Sequence, residues 1–175
     1  MLHQYDYMKT TVTSVSEIRI DIGISKNNLE KIVALLNHDL ADEYILLTKT
    51  KKYHWNVVDP RFNDLHKFLD EQYELLSVAV DDVAERARSL GGNSKATLKE
   101  FIESSQIRED PGAYPDGDTI LLNLLKDHET IIKTLRKHIE ECQELEDEGT
   151  ANFVTDKMET HEKMAWMLRS FLHTK

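Results

Sequence analysis

Residues 59–92 read DPRFNDLHKFLDEQYELLSVAVDDVAERARSLGG, and this stretch decides the fold. Phe62, Leu65, Leu69, Leu76, Val80, Val83 and Ala87 recur at helical spacing, so Asp59 to Leu90 reads as one long helix. Asp59 followed by Pro60 offers a cap and a first helical position, and Gly91-Gly92 offers a stop. Inside the helix His66 and Asp70 are four residues apart, as are Asp81 and Glu85, so each pair shares a face. All four fall within an arc of about 100°, yet Asp70 and Asp81 stand about 16 Å apart along the axis. One metal ion cannot span that gap. A second copy of the helix, packed antiparallel across a two-fold axis near residues 75 and 76, brings His66 and Asp70 opposite the partner's Asp81 and Glu85. Two identical sites result, one on each side of the axis.

The ligand chemistry restricts the metal. Imidazole with several carboxylates and no thiolate suits Fe(II), Zn or Mn, and open coordination positions let an iron meet an oxidant. Calcium favours oxygen ligands alone. A structural zinc site more often uses cysteine, and Cys142 is the one cysteine here. A single His–Asp pair at this spacing is usually a surface hydrogen bond. Two aligned pairs, with His54 at a neighbouring helix end, favour a site.

On either side of the central stretch the chain is helical. Leu29, Ile32, Val33, Leu36, Leu40, Tyr44 and Leu47 mark a first helix from near Ser25 to about Asn56. Thr97-Leu98-Lys99-Glu100 has the form of a capping box, which places a short helix at Thr97–Ser104. A third long helix runs from about Asp118 to Glu148, closed by Gly149, and Thr150 caps a fourth that reaches about His173. Four long helices with a long second-to-third connection make an all-α crossover four-helix bundle over residues 25–175. Residues 1–24 lack sustained periodicity and read as a flexible arm.

Composition sets limits on function. The 175 residues are a single-domain length, and 40% hydrophobic content supplies one substantial core. No apolar run approaches a membrane span and no leader pattern is evident, so a soluble, unexported protein is expected. A lone cysteine fits a reducing cytoplasm. The formal charge of −10 opposes nonspecific attraction to nucleic acid or anionic membrane and is compatible with cationic substrates.

The run Tyr53-His54-Trp55-Asn56-Val57, then Phe62, Leu65-His66, Leu69-Asp70-Glu71 and Ala84-Glu85-Arg86 through Leu90-Gly91-Gly92, resembles the signature of the Dps family, the mini-ferritins. Trp166-Met167-Leu168-Arg169 extends the resemblance into the last helix. The resemblance implies a ferritin-like fold and a hollow homododecamer with a ferroxidase centre at each dimer interface. It implies that His54, His66 and Asp70 come from one subunit and that Asp81 and Glu85 come from its two-fold mate. Family members oxidise Fe(II), commonly with hydrogen peroxide in preference to dioxygen, and store Fe(III) mineral, protecting against oxidative damage. The resemblance also gives Trp55 a role as electron donor beside the site; read alone, that tryptophan would be core packing.

Three other readings compete with this one. A conventional ferritin or bacterioferritin carries Glu-x-x-His motifs inside one bundle. None of the eight histidines here has a glutamate three residues before it. His38, His128, His138 and His161 therefore read as helix-surface or core histidines. DNA binding and nucleoid compaction is the main alternative function, but the arm offers only Lys9 and Arg19 against Asp6, Glu17 and Asp21. Twelve copies would carry a charge of about −120, so DNA binding is not expected. A zinc-sequestering or purely structural shell is the third. The run from Glu140 to Glu148 holds six acids in nine residues. In relatives such acids line three-fold pores, which points to Glu144, Asp147 and Glu148.

Overall fold

The structure, a computed structural model, describes residues 20–172. Five helices follow in order: α1 Lys26–Asn56, α2 Phe62–Ser89, α3 Leu98–Ser104, α4 Gly117–Glu144 and α5 Glu148–Leu172. Most of the N-terminal arm, and the helix end expected at His173, lie outside the described residues.

Side-chain pairs fix the directions of the long helices. Asp39 meets His138, Lys49 meets Asp127 and Tyr53 meets Asn123, so α1 and α4 run antiparallel. Asp82 pairs with Lys157 and Arg86 with Thr150, so α2 and α5 run antiparallel as well. The α2-to-α4 link therefore joins parallel helices and must cross the length of the bundle. Apolar stripes from all four close one core, with Leu36, Leu40, Leu46, Leu65, Leu69, Leu76, Leu121, Leu124 and Leu168 buried in it. No described helix is long and apolar enough to cross a membrane.

Local chemistry explains the helix ends, and three differ from expectation. Ser25 and Asp116 cap α1 and α4 by accepting from the Asn28 and Thr119 amides, and Thr97 with Glu100 forms the expected capping box. Asp59 and Pro60 do not open α2. The Asp59 carboxylate instead takes the Arg61 amide and guanidinium, Arg61 also bridges to Asp118, and the helix starts at Phe62. Arg61 holds the Asp59 carboxyl down at about 2.

At the far end Gly91, with φ of 83°, closes α2 as expected: its amide bonds the Arg88 carbonyl and the Gly92 amide bonds that of Ala87. The same bond pattern ends α4 earlier than expected, with Glu146 (φ 65°) rather than glycine in the left-handed position. Gly149 and Thr150 consequently lie in the first turn of α5. Asp147 occupies the preceding cap position and accepts from the Thr150 amide at 2.9 Å.

Candidate metal centre

The end of α1 and the first turns of α2 face each other across the tight 57–61 connection, which brings His54 and His66 together. Their rings stack with centroids 3.8 Å apart. His54 Nδ1 lies 2.9 Å from the His66 carbonyl oxygen, and His66 Nδ1 lies 3.0 Å from that of His54. A carbonyl oxygen only accepts, so each Nδ1 carries the proton and each Nε2 keeps a free lone pair. Main-chain carbonyls that fix the ligating tautomer are a recurrent feature of metal-binding histidines.

Asp70 stands one turn on, its Oδ1 3.9 Å from His54 Nε2. Tyr73 packs edge-on against His54, and hydrogen bonding to Asp70 raises its phenol above the ordinary range. Phe62 stacks on the other side of His66. His54 is buried, whereas His66 and Asp70 are half-buried, so this cluster opens outward.

Asp81 and Glu85 are exposed and do not join the cluster. The reason lies in the helical wheel of α2. Leu65, Leu69, Gln72, Leu76, Val83 and Ala87 are buried toward the core. At about 100° per residue, His66, Asp70, Asp81 and Glu85 fall on the opposite side. These four side chains thus face away from the core of their own bundle. Trp55 (72%), Val58 (83%), Phe62 (49%), Leu75 (45%) and Val78 (60%) are exposed apolar side chains of α2 and the neighbouring end of α1 and its connection. Trp55 is therefore not core packing within this chain, contrary to the bland reading of a lone tryptophan.

Two other readings change. Asp147 is buried and engaged by Arg86 at 3.3 Å and by Thr150, so it is not a free pore acid, whereas Glu144 and Glu148 stay exposed. His128, His138 and His161 are core residues as expected, and two of them, His138 and His161, find acids that spacing alone did not reveal. His138 donates to Asp39 at 2.7 Å. His161 Nε2 donates to Glu43 at 2.7 Å, while its Nδ1 meets His128 Nδ1 at 2.8 Å. Asp39 and Glu43 sit four apart on α1, a pattern the sequence shows but whose partners lie about a hundred residues away.

This fold, with an imidazole and carboxylate cluster on an outer helix face, is that of a ferritin-like protein. Residues 33–175 match the ferritin-like domain family. The chain is 45% identical over 155 residues to an uncharacterized low temperature-induced protein of Nostoc sp., covering 88% of this chain and 87% of that one. It is 35% identical over 145 residues to DNA protection during starvation protein 2 of Bacillus anthracis, covering 82% of this chain and 98% of the relative. The crystal structure of the Dps protein from Vibrio cholerae O1, described as a member of a broad superfamily of ferritin-like diiron-carboxylate proteins, superposes with a TM-score of 0.83. That match covers 90% of this chain and 99% of the other at 26% identity. The chain belongs to the Dps family of mini-ferritins.

Proposed function

We propose that the protein stores iron and acts as a ferroxidase, oxidising Fe(II) at sites shared by two subunits of a dodecameric shell and holding the Fe(III) mineral inside. The observation that carries this reading is the outward-facing half-site. His54 and His66 present free Nε2 atoms beside Asp70, and Asp81 and Glu85 lie exposed about 16 Å farther along the same helix. A two-fold mate completes each centre and covers Trp55, Leu75 and Val78, an apolar surface that a monomer would leave wet.

Fe(II) is the substrate. The imidazoles orient it and the carboxylates favour the more highly charged product, so the ligand set lowers the cost of removing an electron. Hydrogen peroxide accepts one electron from each of two ferrous ions and, with two protons, leaves as two waters; dioxygen is the slower alternative. The hydroxyl radical is avoided because both electrons reach one peroxide. Trp55, next in sequence to His54, is placed to surrender an electron to a stray oxidant. The exposed Glu144 and Glu148 attract Fe(II) toward an entry route.

Anaerobic loading with Fe(II), followed by parallel additions of peroxide and air, tests the activity through ferric absorbance. Rapid absorbance growth with peroxide and slower growth with air are expected. Growth no faster than in buffer with either oxidant would remove the ferroxidase reading.

A further inference from the structure

Beneath the crossover connection, α1 and α4 enclose a second group of ligating side chains that the ferroxidase chemistry does not use. Asp39 and His138 are buried and His38 is half-buried. One ligand atom from each of His38, Asp39 and His138 lies within 4.8 Å of the other two. Fifteen residues of α1 separate Asp39 from His54, about 22 Å along the axis, so this cluster is distinct from the outer centre.

Hydrogen bonding inside the cluster is incomplete. Asp39 Oδ1 accepts from His138 Nδ1 at 2.7 Å, but Asp39 Oδ2 is buried with no partner among the described residues. His38 Nδ1 is also buried without a hydrogen-bond partner among the described residues, standing 3.9 Å from Asp39 Oδ1 and 3.8 Å from Asp42 Oδ2. A carboxylate oxygen removed from water and left unpaired is costly, and such orphans in a native interior call for a partner, an ion or an ordered water. The Asp42 carboxylate is already spent on the crossover: Oδ1 takes the Ser105 hydroxyl and the Gln106 amide, and Oδ2 takes the Gln106 side chain. Lys95, whose charge reaches His38, has its amino group on Ser104.

We propose that His38, Asp39 and His138 bind Zn(II) or a divalent cation of the same borderline class, as a second metal site inside the subunit. Two imidazoles disfavour calcium and magnesium, and a two-histidine, one-carboxylate set suits a borderline transition ion with a coordination position left for water. Ligands about 2.1 Å from a tetrahedral ion stand about 3.4 Å apart. The His138–Asp39 contact must therefore open by about 0.7 Å and the His38–Asp39 contact close by about 0.5 Å, which side-chain rotation supplies, and His138 gives up its Nδ1 proton as the ion binds. The half-exposed His38 is the entrance. The bound ion ties α1 to α4 directly under the segment that connects the two helix pairs.

The probe is Co(II), whose visible d–d bands report imidazole and carboxylate ligation. In the assembled His66→Ala, Asp70→Ala protein, equilibrium dialysis at low-micromolar Co(II) is expected to retain about one ion per subunit with those bands. Adding His38→Gln should abolish it without altering assembly, since this side chain reaches the surface. His138→Gln should do the same, and if that buried change impairs assembly the His38 variant decides alone. Zn(II) should also raise the unfolding midpoint of the His66→Ala, Asp70→Ala protein but not of that protein with His38→Gln added. Absence of retained Co(II), or retention that His38→Gln leaves unchanged, would overturn the site.

Discussion

The two imidazoles of the outer centre are aimed by main-chain carbonyls, and that detail separates what a residue's position reveals from what its surroundings impose. That His66 and Asp70, like Asp81 and Glu85, stand one turn apart on a single helix was legible because helix geometry is local. The reciprocal ring-to-carbonyl bonds between His54 and His66 were not, since they depend on how the α1–α2 connection closes. The same holds in the interior, where Glu43, His161 and His128 form one buried chain. Burial drives the His128 imidazole well below its ordinary range, with neighbouring His161 adding to the effect. A histidine whose folded pKa is depressed takes its proton first in the unfolded chain. The stability contribution is therefore complete above the unfolded pKa of about 6.5 and declines as pH falls below it. Urea midpoints measured down to about pH 5 should fall, and a His128→Gln variant should show a shallower decline. Identical slopes for both proteins would refute this account of His128.

Each long helix was legible from its apolar period, and the misplacements sit at ends where a side chain found a competing partner. Asp59-Pro60 is a strong start signal, yet Arg61 captures the Asp59 carboxylate and delays α2 to Phe62. Gly149 is a strong stop signal, yet α4 ends earlier because Glu146 accepts a positive φ. A glutamate in that conformation is strained by about 1 kcal/mol or more, where glycine is not. Part of that gain is offset by the extra freedom glycine gives the unfolded chain. Glu146→Gly should therefore stabilise the protein by about 0.5 kcal/mol, read as a higher denaturation midpoint at matched protein concentration. A lower midpoint would mean that the Glu146 side chain makes a contact in the assembly worth more than the relieved strain.

For the molecule as a whole, the crossover bundle follows from helix count and the long second-to-third connection, but what surrounds it does not. A single chain shows only that the face of α2 carrying His66, Asp70, Asp81 and Glu85 turns away from the core, and the proposed centre is not complete within it. Net charge bears on the partners. At −10 per chain, phosphate repulsion should dominate, so DNA fragments mixed with the apo assembly at neutral pH and moderate salt are expected to migrate as free DNA. A salt-sensitive shift at submicromolar protein would contradict that. The shared centre is tested by complementation between a His66→Ala, Asp70→Ala variant and an Asp81→Ala, Glu85→Ala variant, each of which should lose most rapid Fe(II) oxidation. In a mixed dimer one site inherits both defects and the other joins two intact halves, so random equal pairing restores about a quarter of all sites. The decisive quantity is the initial oxidation rate of co-expressed shells, with mixed composition verified by mass spectrometry. A rate near a quarter of the parent protein's is expected, and mixed shells no faster than either variant alone would contradict a centre built from two subunits.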